Sequence, residues 1–489
     1  MHRSLITRLF FLQIISLALI FANGCREEDR ETKSADTPKG LTATSDLQLI
    51  IISWEPGAGN AVGYRIAHQT GEEAPADCSS GTLVDVDAAL TTSHQLSDLD
   101  PGFHAFRLCS VNAAGDLSEG TTVTAYFSTS TFKELSIGKT FSCGLKDDGK
   151  AYCWGYGYYG RLGNEKKGSS ATYFESTAVA VSGDHTFQSL SAGEEHSCGL
   201  KTDGSVYCWG SGMDGMLGNG TDTQGFYVEY APVAVVDSDG FQSVSVGAGH
   251  SCGLKANGSA YCWGGGSDGR LGNGKSGYGE YAITPMLVAG PQDYQTLVVG
   301  GYHTCGLRPG GAAYCWGYGS NGRLGNNAKE DQLTPVAVAG GLSFTSIALG
   351  STHTCGLTAE GTAYCFGQGK YGQLGTGAID DKLTPAAVAG GHSFQSLSVG
   401  SNHTCGLKSD GSAYCWGRGS SSQLGNDDLA DQLSPVAVAG GHSFIAIEAG
   451  AYHTCALKVG GAALCWGRGQ SGRLGNGQVK DQASPGIVF

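Results

Sequence analysis

Two cysteines ten residues apart recur seven times in this chain, as Cys143/Cys153, Cys198/Cys208, Cys252/Cys262, Cys305/Cys315, Cys355/Cys365, Cys405/Cys415 and Cys455/Cys465. Their first members stand 55, 54, 53, 50, 50 and 50 residues apart. A fixed period in this range marks a repeat architecture, in which each unit hides its apolar face against its neighbours. Each unit carries four short β-prone runs bounded by Gly, Pro or Asp; in the last they are 435–440, 444–450, 453–458 and 462–467. Four strands repeated seven times predict an all-β chain whose bulk, residues 129–489, is a seven-bladed β-propeller. The first unit opens at 132–138 on what is elsewhere a second strand, and the chain ends on a surplus first strand at 484–489. That C-terminal strand is expected to complete blade one and so remove an exposed edge.

The spacing also says what the cysteines do. Between Cys198 and Cys208 the loop Thr202-Asp203-Gly204 suits a hairpin with its glycine at positive φ, and counting outward sets the two cysteines opposite each other. Directly paired strand positions fall within disulfide reach. Zinc is the competing use, but a structural zinc takes four protein ligands and each unit offers three, such as His196, Cys198 and Cys208. Seven hairpin disulfides are therefore expected. Of the 17 cysteines, Cys78 and Cys109 are left to pair with each other, and Cys25 stands alone. Disulfides at this density imply an oxidising compartment.

The N-terminus agrees with that compartment. His2, Arg3 and Arg8 precede an apolar stretch from Leu9 to Ala22 that is too short to span a membrane, so residues 1–24 read as a signal peptide. The sequence Phe21-Ala-Asn-Gly-Cys25 resembles a bacterial lipobox, which implies lipidation of Cys25 and an outer-membrane lipoprotein; the alternative is ordinary cleavage after Gly24. Residues 25–39 lack aromatics and apolar periodicity and read as a disordered tether. In residues 40–128, the runs 47–54 and 63–66, the turn Leu99-Asp-Pro-Gly102 and the run 106–115 resemble, in this order, a fibronectin type III β-sandwich. The resemblance assigns Trp54 and Tyr64 to its core and sets His104 where that family has a corner tyrosine. Phe106, Leu108 and Ser110 alternate with Arg107 and Cys109, so Cys109 is expected to face away from the core and join Cys78 as a surface staple.

Within the repeats, Gly-x-x-His, Leu-x-x-x-Gly and Trp-Gly-x-Gly-x-x-Gly-x-Leu-Gly recur, the last in full at 209–218 and 316–325. These motifs resemble the regulator of chromosome condensation repeat. Phe141 stands for the histidine of the first unit, Phe366 for the tryptophan of the fifth, Ser422 for a glycine of the sixth and Ala456 for one of the seventh. The embedded Gly-x-Gly-x-x-Gly, as at 155–160, suggests a dinucleotide site only where a helix follows, and none is patterned here. His196, His250, His303, His353, His403 and His453 recur at one place per unit, so each is expected to bond a neighbouring backbone group rather than to catalyse. No nucleophile–base set or carboxylate pair stands apart from the repeat, so neither catalysis nor a cofactor or metal is expected.

The net charge of −14, with no basic stripe, argues against a nucleic-acid partner. Function is sought where the repeats differ. Units one to three carry extra residues after Leu-Gly-Asn, in loops holding Tyr173, Phe174, Phe226, Tyr227, Tyr230, Tyr278 and Tyr281. In an up-and-down meander these loops share a face with the turns at Glu194, Glu195, Tyr302, Thr352, Asn402 and Tyr452. Exposed aromatics at loop tips are typical anchors of protein interfaces; the alternative is that these tyrosines pack on their own loops. The expectation is a monomeric, extracytoplasmic binding protein that grips another protein, or a surface glycan, through this face and touches the membrane only through its lipid. The family resemblance adds two alternatives: inhibition of an extracytoplasmic enzyme, as by a β-lactamase-inhibitor propeller, and guanine-nucleotide exchange.

Overall fold

A computed structural model describes residues 36–489 apart from 47–48, 57–60, 72, 87–90, 98, 100–101, 128–130, 168–171, 222–226 and 278. Cys25 and the apolar leader therefore lie outside the described residues. The N-terminal unit is built from β1 (Lys39–Asp46), β2 (Leu49–Glu55), β3 (Ala61–Thr70), β4 (Thr82–Val86), β5 (Ser93–Ser97), β6 (Gly102–Asn112) and β7 (Thr121–Phe127). They form two antiparallel sheets, β1-β2-β5 and β4-β3-β6-β7. Alternate positions meet in one core of Ile50, Ile52, Trp54, Tyr64, Ile66, Phe106 and Leu108. Trp54 meets Tyr64 edge-on at 5.1 Å between ring centroids. His104 bonds His68 ring to ring at 2.7 Å, both side chains being buried. Cys78 and Cys109 are joined. The pair lies outside the main core, but it is not a surface staple: both residues are buried beside Ala67 with Leu117 packed on them. The chain after β6 folds back over the sheet, Ser118 N–H donating to Ser110 O, and covers the outward-pointing sulfur.

Seven four-stranded antiparallel sheets follow, each a blade whose strands run inner to outer in chain order. The first comprises Glu134–Ile137, Phe141–Leu145, Ala151–Tyr156 and Phe174–Ala180; the last comprises Ala446–Ala449, His453–Leu457, Ala463–Gly467 and Gln482–Ile487. The run that opens each repeat in the sequence is thus the outer strand of the blade before it. This corrects the expected closure, because Ile487 pairs with Leu464 in blade seven and not with the 132–138 segment. The reason lies in the link after each third strand. Gly157 N–H donates to Tyr173 O and Gly212 N–H to Tyr227 O, so the chain hairpins back onto its own sheet. Blades seven and one meet through side chains instead: Phe132, Leu135, Trp154, Leu457, Leu474 and Val488 share one cluster. Three backbone bonds reinforce that seam, from Phe132 N–H to Gly461 O, from Ala178 N–H to Phe489 O and from Gly477 N–H to Ser176 O.

Each ten-residue cysteine pair occupies directly opposed positions of the second and third strands of its blade and is closed as a disulfide. In blades one to three the bonds are Cys143–Cys153, Cys198–Cys208 and Cys252–Cys262. In blades four to seven they are Cys305–Cys315, Cys355–Cys365, Cys405–Cys415 and Cys455–Cys465. Every one of these cysteines is buried. They are therefore structural staples inside the blades, and none of them contributes to an exposed site. Next to each bond an aromatic ring, a tryptophan in all but blade five where it is Phe366, crosses to the neighbouring blade, Trp154 Nε1 donating to Arg473 O and Trp209 Nε1 to Arg161 O. The glycine of Leu-Gly lies against that ring. A Cβ on Gly425, at φ +68°, would come within 2.5 Å of Trp466.

The recurring histidine bonds a side chain of the next blade, not backbone. His303 Nε2 meets Thr354 Oγ1 at 2.7 Å, and the same contact joins His196 to Ser251, His250 to Thr304, His353 to Thr404, His403 to Thr454 and His453 to Ser142. Each of these hydroxyls donates its hydrogen to a carbonyl, as Thr354 does to Arg323 O at 2.9 Å. The imidazole must therefore donate through Nε2–H, which fixes the neutral tautomer. Phe141 breaks this series, and the hydroxyl it would have reached, Ser197 Oγ, is buried without a partner. The inner strands are sheet edges, and a second set of hydroxyls satisfies them. Ser136, Ser191, Ser245 and Ser398 accept the N–H of Ala192, Val246, Val299 and Ala449 in the following blade.

Candidate interaction face

The meander brings the inner-to-second turn and the third-to-outer loop of every blade to one end of the ring. The backbone ties them together: Tyr156 N–H donates to Thr140 O, Tyr318 to Tyr302, Arg418 to Asn402 and Arg468 to Tyr452. This face therefore carries Tyr156 and Tyr318 in blades one and four and Arg418 and Arg468 in blades six and seven, around a central channel of about 250 Å³. At its mouth Lys139 pairs with Glu194 at 2.6 Å. Burial opposes the charge on Lys139, but the Glu194 carboxylate outweighs it and raises the ammonium above its usual value. Deeper in the channel Glu448 accepts a hydrogen bond from Ser398 Oγ, and burial, with Glu134 adding to it, pushes its carboxyl up to about 7. Among the described residues no group of three or more His, Cys, Asp and Glu is placed to hold a metal ion.

Blade one presents the densest part of the face. Tyr156, Tyr158 and Tyr159 surround Arg161; Tyr158 and Tyr159 lie 4.1 Å apart by ring centroid, and the guanidinium sits 5.0 Å from Tyr156 and 5.6 Å from Tyr159. Burial lowers the Arg161 pKa and raises that of Tyr159. Phe174, paired with Tyr156 across the sheet, is 40 % exposed. Tyr159 has φ 65°, at a place where other blades carry Asp214, Asp268, Asn321 and Ser471. Short polar residues tolerate that conformation, whereas a bulky aromatic there is strained. Across the ring Tyr302 is exposed, Arg418 lies over Tyr371 and Arg468 over Tyr452. At the rim of blades five to seven Ile379, Leu429 and Val479 project from equivalent loop tips.

The loop tyrosines expected to anchor a partner divide. Tyr173 and Tyr227 are half-buried and packed within their own blades. Their rings fill the space a Cβ would need at Gly157 and Gly212. The Tyr173 hydroxyl accepts from Asn164 and donates to Glu175, and Tyr227 bonds Asn219 and Glu229 in the same way. Blades four to seven close the same loop without an aromatic: Asp331, Asp381, Asp431 and Asp481 accept the N–H of Gly319, Gly369, Gly419 and Gly469. The extra length in units one and two thus accommodates a tyrosine in place of an aspartate. Tyr230 and Tyr281 are half-buried strand residues, and Phe226 and Tyr278 lie outside the described residues.

Comparison with known proteins gives this ring a family. The family model of the RCC1-like domain matches residues 229–488, and models of the regulator of chromosome condensation (RCC1) repeat match 132–161, 148–200, 187–215 and 203–254. The chain belongs to the RCC1-like family. Among curated relatives, the E3 ubiquitin-protein ligase HERC2 of Mus musculus is 31% identical over 197 residues, which are 38% of this chain and 4% of the ligase. The chain thus spans a small fraction of that relative. Among solved structures, human WBSCR16 aligns with a TM-score of 0.63 at 21% identity, covering 70% of this chain and 94% of that one. Prp20p of Saccharomyces cerevisiae, studied together with its binding to Gsp1p and histones, aligns with a TM-score of 0.57 at 20% identity over 65% of this chain and 80% of its own. At these identities the two structures speak for the fold.

In this RCC1-like propeller, sequence reasoning found the turns carrying Tyr302 and Tyr452 but missed Tyr156, Tyr158, Tyr159, Tyr318, Arg418 and Arg468. All six fall inside the Trp-Gly-x-Gly motif or just after it, where glycines draw attention to the backbone. Their signal was the variable positions between those glycines, which take Tyr or Arg in blades one, four, six and seven.

Proposed function

We propose that this chain is a secreted binding protein without catalytic activity, anchored through a lipid on Cys25. A fibronectin type III-like domain spaces a seven-bladed RCC1-like head from the membrane, and the head grips a protein partner with the turn-and-loop face. The observation that carries this reading is the blade-one cluster of Tyr156, Tyr158, Tyr159 and Phe174 around Arg161. Tyrosine and arginine dominate interface hot spots. A tyrosine held at positive φ persists only where its surroundings impose it, and such strain gathers at functional sites. The head is also rigid, with a disulfide in every blade and a side-chain latch at six of seven seams, so little ordering entropy remains to be lost on binding. That rigidity suits equally an inhibitor of an extracytoplasmic enzyme, a reading distinguished by loss of the partner's activity on binding.

The test is site-specific photo-crosslinking in the envelope of the source cell. A photoreactive residue at Tyr158 should give a discrete adduct, and one at Lys408, on the opposite hairpin face, should give none. With the partner in hand, Tyr158→Ala together with Tyr159→Ala should weaken binding at least about thirtyfold, while Lys408→Ala leaves it unchanged. Adducts from position 408 alone would move the functional face to the other side of the ring.

A further inference from the structure

Arg161, Arg270, Arg323 and Arg473 occupy one place in blades one, three, four and seven, and all are at least nine-tenths buried. Each donates Nε–H to the carbonyl three residues back, those of Tyr158, Ser267, Ser320 and Gln470. One outer nitrogen of each of the first three is also occupied. Arg161 Nη1 reaches Thr140 Oγ1 and Glu194 O, Arg323 Nη1 reaches Ser351 O, and Arg270 Nη2 reaches the Asp268 carboxylate. Arg473 Nη1 is buried with no partner. In the repeat register its counterpart of Ser351 is Lys139, whose ammonium pairs with Glu194.

A second cation stands beside it. The guanidinium groups of Arg468 and Arg473 lie 5.5 and 6.0 Å from the centroid of the same ring, Tyr452. Among the described residues no carboxylate forms an ion pair with either. Burial, and after it the charge of Arg468, holds the Arg473 guanidinium down to about 10. The Asp481 carboxylate offsets this only in part, so two adjacent cations without an ion-pair partner and an orphaned buried N–H are unfavourable in the free protein, and an anion relieves both.

We propose that Arg468, Arg473 and Tyr452 form a carboxylate-accepting subsite on blade seven, filled by an acidic side chain of the partner polypeptide. The subsite deepens the face reading above and rests on it for the partner's class. The arginine fork matches a carboxylate in geometry and charge. The chain's net charge of −14 repels polyanions in general, so an anion is retained only where cations are locally unpaired.

The probe is hexaglutamate, titrated calorimetrically into the full chain at low salt. Arg468→Gln and Arg473→Gln should each weaken it at least about tenfold, the loss of one charge-assisted hydrogen bond. Glutamine is native at the place of Arg473 in blades five and six, where Gln373 and Gln423 accept the N–H of Tyr371 and Ser421 at 2.8 Å, so the second variant retains a working local structure. Should its melting midpoint fall, Arg468→Gln alone decides. Lys408→Gln should bind like the wild type. The proposal is overturned if the wild type does not take up hexaglutamate, if both arginine variants bind it unchanged, or if inorganic phosphate or galacturonate binds more tightly. Any of these would leave crosslinking at Tyr158 intact, so the subsite and the face are judged separately.

Discussion

Ser197 and Ser251 hold the same place in successive blades, yet their hydroxyls meet opposite fates. Ser251 Oγ takes the His196 Nε2–H at 2.7 Å and donates to Met216 O, whereas Ser197 Oγ is buried opposite Phe141 with nothing to bond. A hydrogen bond contributes about 1 kcal/mol net, but an orphaned buried polar group costs about 1–3 kcal/mol. The same Ser→Ala change should therefore act in opposite directions. Ser251→Ala orphans the buried His196 N–H, although Met216 O keeps the Trp263 Nε1–H, and should destabilise by about 1–3 kcal/mol, while Ser197→Ala removes a group already unpaired and should be neutral or stabilising. Denaturant unfolding of the two variants checks this, and equal losses would show that Ser197 has a partner. Seam one is not left loose by its missing latch. Arg161 stacks on Phe141 and bonds Glu194 O, and Lys139 pairs with Glu194 across the same joint.

At the scale of the strand, the C-terminal segment tests which neighbour each outer strand serves. Gln482–Ile487 hydrogen-bonds to the third strand of blade seven, and Val488 reaches into the seam with blade one. Deleting 482–489 should expose the amides of Cys465 and Gly467 to hydrogen exchange by orders of magnitude. The amide of Ser136 should stay protected, because its ladder runs to Phe141–Leu145. Fast exchange at 136 with slow exchange at 465 would restore the closure read from the sequence. That reading went wrong for a definite reason. A period of 50 residues sets the order of strands but not where one sheet ends, because an outer strand can in principle pair backward or forward. The deciding contacts, Gly157 N–H to Tyr173 O and its equivalents, are invisible in composition or periodicity. The cysteine register, by contrast, was legible, since the ten-residue interval and a Gly-containing turn leave one geometry for a hairpin. The burial of Tyr173 and Tyr227 was not legible. It depends on rings entering the gap where Gly157 and Gly212 lack a Cβ, a contact between segments about fifteen residues apart.

The ring as a whole is closed by neutral imidazoles, and this makes its stability depend on pH in a calculable direction. Burial lowers His196, His353 and His403 to about 3 and holds His250, His303 and His453 well below the usual 6.5. In the unfolded chain each titrates near 6.5. The unfolded state thus binds more protons below that pH. The stabilisation is fully present above about 6.5 and is lost progressively as pH falls towards 3, each ring removing about 1.4 kcal/mol per pH unit within that window. Glu448 works the other way. Its folded carboxyl, raised to about 7 by burial, keeps a proton that the unfolded chain releases above about 4.5, so it offsets one of the six. Between pH 6.5 and 5 most other carboxylates are still ionised in both states, which isolates the histidines. The thermal midpoint should be level above about pH 7 and fall steeply from about 6.5 to 5. Calorimetry in buffers of different ionisation enthalpy should register an uptake of several protons on unfolding near pH 5, most of them from the six latches, with His68, His185, His392 and His442, also lowered by burial, adding to it and Glu448 and Glu134 opposing it. A midpoint that stays level across that interval would mean the six latches are hydrated or already charged. The blades would then be held together by the tryptophans, the leucines and the inner-strand serines without them.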